Sequence, residues 1–216
     1  MIVMYKNMAK ETYSNYIKDY KNKGTIIVPF ESNLSPLSED DFYNLKSYCD
    51  KVDKEFIKIG DAGEKNHLLV GRFITDIKKP EIVKNKFSKK LISILKKKKI
   101  MNFIKKILKT RKKLHLRRVQ FNEISKNCFV GYHLDIDSNP EYVAACVIQL
   151  GSNFKGGLYR VYQKKTKKYF DYAPSKGSLI ISNCFYPHEV TPVKSGKRGS
   201  LVFFISYNKG LNKRAS

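Results

Sequence analysis

The sequence predicts an α+β chain, mainly β, in which helices come first and a β core of the sandwich or jelly-roll kind follows. Three observations carry this. From Arg118 onward, short β-rich runs recur at close intervals with Gly, Asn, Pro and Ser between them. Before that point, apolar residues recur at helical spacing. No internal repeat and no linker-like stretch divides the 216 residues, a length that suits one ordinary domain. The expected organisation is a single domain over 1–216, with 1–117 as a helical support region and 118–210 as the β core.

Taken in order, residues 8–22 read as a helix, and Thr25 to Phe30 as a short strand that ends near Pro29. Residues 38–58 read as a second helix. Ser38 is its N-cap, Glu39, Asp40 and Asp41 suit the positive end of the helix dipole, and Phe42, Leu45, Cys49, Val52 and Phe56 keep helical period. Residues 84–118 carry 16 Lys or Arg and no acid. Phe87, Leu91, Ile94 and Leu95, then Ile100, Phe103, Ile104, Ile107 and Leu108, keep helical spacing, which predicts one or two amphipathic helices with a basic face. Seven strands are then expected, over 118–124, 129–135, 142–150, 158–163, 169–172, 178–182 and 201–207.

Composition narrows the class. A hydrophobic fraction of 42% and 13 Phe with 14 Tyr exclude a globally disordered chain. No apolar run approaches the roughly 18 residues that span a bilayer. The start, Met1-Ile2-Val3-Met4-Tyr5-Lys6, lacks the basic and apolar regions of a secretory signal. Cys49, Cys128, Cys146 and Cys184 are widely spaced without a CxxC pair, so reduced, buried thiols in a cytoplasmic protein are expected rather than disulfides or structural zinc. The formal charge of +24 has two readings. An anionic partner on the segment 84–118 is one. The other is a low-GC genome that inflates Lys, Asn and Ile together, and the excess of Lys over Arg, the better phosphate reader, favours it.

Chemistry concentrates late in the chain. His133 and Asp135 close a predicted strand, where side chains at i and i+2 share a face and can reach one ion. His188 follows Asp135 by 53 residues, within Asn183-Cys184-Phe185-Tyr186-Pro187-His188-Glu189-Val190. Two histidines and one carboxylate on one face leave coordination positions open on non-heme iron(II). Arg198 stands ten residues beyond His188, with Ser200 at i+2. A guanidinium fork beside a hydroxyl suits a carboxylate bound inside a barrel.

From about Val119 to Tyr207 the chain resembles the 2-oxoglutarate/iron(II) oxygenase superfamily, in particular its prolyl-hydroxylase-like branch. The shared pieces are His133-Leu134-Asp135, Phe154-Lys155-Gly156-Gly157, Pro174-Ser175-Lys176-Gly177-Ser178-Leu179-Ile180-Ile181, His188-Glu189-Val190-Thr191-Pro192-Val193 and Gly196-Lys197-Arg198-Gly199-Ser200-Leu201. The resemblance implies a double-stranded β-helix core of the jelly-roll, cupin-like kind. It implies iron(II) held by His133, Asp135 and His188, with 2-oxoglutarate and dioxygen as co-substrates and ascorbate as an accessory reductant. Arg198 would pair with the distal carboxylate of 2-oxoglutarate, helped by Ser200. Many members place a tyrosine sixteen residues after the first histidine. Here Gln149 stands there, a departure, though its amide can still donate a hydrogen bond. A carboxylate at Asp135 points to hydroxylation, since halogenating relatives have a small residue there.

Substrate contacts are expected from Arg118, Gln120 and Asn122 on the strand before His133, and from the N-terminal helices and the loop around 137–142. A small metabolite or amino acid and a peptidyl side chain such as proline are equally expected. Oxidation of nucleic acid or an anionic glycolipid comes next. From a different class, the alternative is a non-catalytic basic jelly-roll module, which would have no reason to keep His133, Asp135, His188 and Arg198 together.

Overall fold

The computed structural model describes residues 2–3, 11–60, 62–163 and 168–214. The first half holds β1 (Ile2–Val3), α1 (Tyr13–Lys23), β2 (Thr25–Val28), α2 (Glu39–Lys51), β3 (Glu55–Ile59), β4 (Lys65–Asp76), β5 (Pro80–Ile82), α3 (Ser88–Leu95) and α4 (Lys98–Ile107). The second half holds β6 (His115–Ile124), β7 (Val130–His133), β8 (Tyr142–Gln149), β9 (Phe154–Gly156), β10 (Tyr159–Tyr162) and β11 (Tyr169–Tyr172). It closes with β12 (Leu179–Asn183), β13 (His188–Val190), β14 (Val193–Gly196) and β15 (Arg198–Ser206).

Two sheets make the jelly roll. The large one runs β2-β12-β8-β15-β6-β4-β3, with β5 on β4, and the small one β1-β11-β10-β13-β7. Alternation divides the large sheet's residues between two cores. Val119, Phe121, Cys146, Ile148, Leu201 and Phe203 point outward against the four helices. Val70, Ile124, Val147 and Ile180 point inward against Tyr159, Val161, Tyr172 and Val190 of the small sheet. The site lies between the sheets, and the helices lie behind the large one.

The helices are set by local chemistry. Thr12 caps α1 by accepting from the Asn15 N–H at 3.2 Å, and Gly24, at φ +74°, ends it. Of the predicted helix over 8–22, residues 8–10 lie outside those described. Ser38 caps α2 by accepting from the Asp41 N–H at 3.2 Å, a cap worth about 1 kcal/mol. That helix stops at Lys51 rather than reaching 58 as the apolar spacing suggested. Val52 turns extended and Phe56, in β3, is 47% exposed, so its place in the helical period is coincidental. The basic segment is two helices, and it departs from expectation after Ile107, because β6 begins at His115. The buried faces of α3 and α4 carry Leu91, Ile94, Leu95, Ile100, Phe103 and Ile104, and their lysines are turned to solvent.

The segment before residue 118 also supplies β2 to β5 to the large sheet. β4 was not anticipated from the sequence at all. Among the described residues no helix is long and apolar enough to cross a membrane. The four cysteines are free and buried.

Candidate active site

Register brings the two histidines together. β7 and β13 pair antiparallel with His133 opposite His188, and their rings lie 4.4 Å apart, centroid to centroid. Asp135 opens a single 3-10 turn, Asp135–Asp137, directly after β7. Its Oδ1 stands 3.6 Å from Nε2 of His133 and 3.6 Å from Nε2 of His188. One donor atom from each residue lies within 4.8 Å of the others, and among the described residues this is the group of His, Cys, Asp and Glu that could hold a metal ion.

Backbone carbonyls orient both rings. Nδ1 of His133 sits 2.8 Å from the Gly131 carbonyl, and Nδ1 of His188 sits 3.1 Å from the Tyr186 carbonyl. An Nδ1 proton donated to each carbonyl turns Nε2 to the centre, where loss of its proton gives the lone pair a metal requires. Burial works to raise the Asp135 carboxyl, but His188, His133 and Arg118 outweigh it and hold the group below its ordinary range. Asp135 is thus an anion in the site, and its Oδ2 is buried with no N–H or O–H donor upon it.

A cavity of about 140 Å³ between the sheets carries this group on its wall. Arg198, the first residue of β15, enters it with only 2% of its surface exposed. Its Nε and Nη2 are buried without acceptors, and no carboxylate among the described residues pairs with it. Burial lowers its pKa to about 10. A buried, unpaired guanidinium is costly unless an anion joins it. Gly157, at φ +58°, lets the side chain pass, since a Cβ there would stand 3.0 Å from Cδ of Arg198. The predicted backbone role of Gly156 and Gly157 is therefore visible as close approach, with Gly156 at φ +73° and packed beneath the Pro192 carbonyl.

Of the other predicted residues, Ser200, Arg118, Gln120 and Asn122 all line the cavity. Gln149 does not. Its Nε2 donates to the carbonyls of Gly151 and Gly199, each at 3.1 Å, so both amide hydrogens are committed to the backbone beside Arg198. Tyr159 lines the cavity instead and was not singled out from the sequence. Its ring lies 5.4 Å from that of His188, and its hydroxyl donates to Ser182 Oγ at 2.8 Å. Burial and the Asp135 charge push its pKa far up, so it stays a neutral phenol. Its only sequence signal was its alternation with Val161 just after the Gly-Gly pair.

Two histidines and a carboxylate on a jelly roll, beside a buried arginine that lacks an anion, make a donor set for a metal ion and a cation for a carboxylate ligand. Residues 119–206 match the family model of the 2OG-Fe(II) oxygenase superfamily, whose iron(II) and 2-oxoglutarate these residues fit. An oxidoreductase of the 2OG-Fe(II) oxygenase family from Burkholderia pseudomallei shares 29% identity, over 95% of this chain and 96% of its own, with a TM-score of 0.88. A Pseudomonas putida prolyl-4-hydroxylase superposes with a TM-score of 0.62 at 16% identity, over 90% of this chain and 98% of its own. A Trichoplax adhaerens prolyl hydroxylase, in complex with a hypoxia-inducible-factor peptide, gives 0.62 at 11% identity, over 90% and 88%. The last two likenesses speak for the fold alone. No curated protein matches the chain.

Proposed function

We propose that the chain hydroxylates an unactivated C–H bond of an amino acid, another small metabolite or a peptidyl residue, with His133, Asp135 and His188 as iron ligands and Arg198 as the anchor for 2-oxoglutarate. The observation that carries this is the pairing, in one cavity, of three convergent donor atoms with a buried guanidinium that lacks an anion. The metal and co-substrate, when bound, supply the oxidising step: one oxygen atom goes to the substrate carbon, and the other to succinate as carbon dioxide leaves.

The chain's own residues bind, orient and exclude. Arg198 and Ser200 hold the distal carboxylate of the co-substrate at one end of the cavity, with a charge-assisted fork from the guanidinium. Gln149 acts through the Gly199 carbonyl beside that arginine. Gly131 and Tyr186 keep the histidines in the metal-binding tautomer. Tyr159 and the apolar side chains of both sheets keep water from the buried Asp135. Arg118, Gln120 and Asn122, on the inward face of β6, are the substrate contacts. The prolyl hydroxylases of similar fold make a peptidyl residue one candidate, and a cavity of about 140 Å³ suits a small substrate.

We also read residues 1–216 as one domain, since the helices and β2 to β4 share cores with the strands after 118. Among the described residues, Arg118 alone of the basic segment 84–118 reaches the cavity. An anionic macromolecule on the lysines of α3 and α4 would thus be a docking partner and not the substrate.

The test is a screen of amino acids and short peptides for hydroxylation with iron(II), 2-oxoglutarate and air. Succinate should form in step with hydroxylated product, and His188→Ala should abolish both. A folded wild-type chain that releases no succinate with any substrate, or a fully active His188→Ala, would remove the reading.

A further inference from the structure

β6 carries two adjacent arginines, and their side chains part where the β15–β6 register shifts between Leu116 and Val119. Arg117 is fully buried outside the cavity lining, where Nε and Nη2 pair with both oxygens of Asp76 at 3.0 and 2.9 Å. Arg118 turns into the cavity. Its guanidinium lies 4.4 Å from the centroid of the Phe204 ring, which in turn stacks on Tyr142 at 4.6 Å and 22°. Cation–π packing of this kind fixes the plane of the fork without neutralising its charge. Nε of Arg118 is buried with no acceptor, and no carboxylate among the described residues pairs with the side chain. Arg72, which also lines the cavity, is by contrast joined to Glu55.

The register places the two free arginines at opposite ends. Arg198 faces Ile124, Ser200 faces Asn122 and Val202 faces Gln120 across the β15–β6 pair. Arg118 is the third inward position beyond Ile124, so its backbone and that of Arg198 stand roughly 20 Å apart at about 3.3 Å per residue. A 2-oxoglutarate with one carboxylate on Arg198 and the other turned to the metal leaves Arg118 unused.

One inward position from Arg118 stands Gln120. Its Nε2 donates to Asn122 Oδ1 at 2.9 Å, which turns Oε1 away as a buried acceptor with no donor upon it. The wall thus offers an unsatisfied cation and an unsatisfied acceptor two residues apart on one strand face. That is the complement of a carboxylate and an ammonium group on one carbon.

We propose that the substrate is a free amino acid, its carboxylate bound by Arg118 and its ammonium group donating to Oε1 of Gln120. The assignment rests on the reading of Arg198 as the co-substrate anchor. Of the substrate classes open to the chain, it selects the small acid over an internal residue of a polypeptide, which has neither charge to offer.

The experiment is anaerobic calorimetry on the full chain. 2-Oxoglutarate is titrated first onto the iron(II) protein, and then each standard L-amino acid, its carboxamide and its N-acetyl derivative. At least one amino acid should bind. Blocking either end should weaken it on the order of 30-fold or more, the usual effect of removing one partner of a charge-assisted hydrogen bond held away from water. Arg118→Gln should abolish the preference for acid over amide, with the 2-oxoglutarate affinity unchanged, and Arg118→Lys should restore part of it. The proposal is overturned if no free amino acid binds at millimolar concentration, if the blocked forms bind as well, or if the preference survives in Arg118→Gln. Failure of the first titration would instead indict the Arg198 reading, and the amino acids and amides titrated onto the chain alone would then decide for or against Arg118.

Discussion

Arg198 sets the energetics of the site at the scale of single residues. The fold holds a buried cation without its counter-charge, so the ligand-free chain carries a penalty that an apolar residue of similar length would relieve. Arg198→Met is therefore expected to melt at a higher temperature than the wild type when both lack ligand. The wild type alone should gain from 2-oxoglutarate, by about 2.7 kcal/mol at a hundredfold excess over Kd, which is about 5–10 °C for a domain of this size. Thermal unfolding of both forms with and without the ligand checks this. An apo Arg198→Met that melts lower would mean that the guanidinium is already compensated within the fold. The residues that converge here, His133, Asp135 and His188, and the buried Arg198 were legible in the sequence because short motifs at characteristic spacing carry them. Tyr159 was not, since its place follows from the pairing of β10 with β13, in which Val161 faces His188, a long-range register that no local spacing encodes.

At the scale of elements, the turn that carries Asp135 is held by a buried network whose hub is Asp76, the last residue of β4. Asp76 accepts from Arg117, from Nδ2 of Asn139 at 3.0 Å and from the Tyr142 hydroxyl at 2.9 Å. Asn212 adds donations to the carbonyls of Asp76 and Ser138. Both charges of the Arg117–Asp76 pair are fully buried. Removing one partner strands the other, at a cost of about 3–5 kcal/mol. Asp76→Ala should lose that much in denaturant unfolding and should also weaken iron retention by loosening the 135–142 turn. A variant with wild-type stability would show that water or a neighbour satisfies Arg117. β4 is hard to see in the sequence for a physical reason. β4 lies between β3 and β6, with Leu68 and Val70 in one core and Phe73 and Ile74 in the other, and a strand buried on both faces loses the alternation by which strands are recognised.

For the whole molecule, the large sheet separates chemistry from charge. His133 and His188 stand on the small sheet and Arg118 and Arg198 face them from the large one across the cavity, whereas α3 and α4 pack behind the large sheet with their lysines in solvent. Lys97 has a structural partner, Asp41, at 2.7 Å, but Lys96, Lys98 and Lys99 are exposed. Replacing those three by Gln should leave succinate release and substrate affinity unchanged at low salt, where electrostatic steering is strongest. A loss there would mean that the basic face delivers the substrate. The jelly roll itself was legible from strand spacing in the second half of the chain. In the first half β2 was legible as the run Thr25 to Phe30, but β3 to β5 were not, because a helical period and a short strand look alike over four or five apolar residues.

The most direct test of the central claim is an anaerobic titration of the metal-free chain with iron(II) and then 2-oxoglutarate, followed by visible absorption. A metal-to-ligand charge-transfer band that needs both additions, and that Asp135→Ala fails to develop, is the predicted result. A folded chain that gives no band with both present, or an equal band in Asp135→Ala, would contradict the assignment of His133, Asp135 and His188 as the iron site.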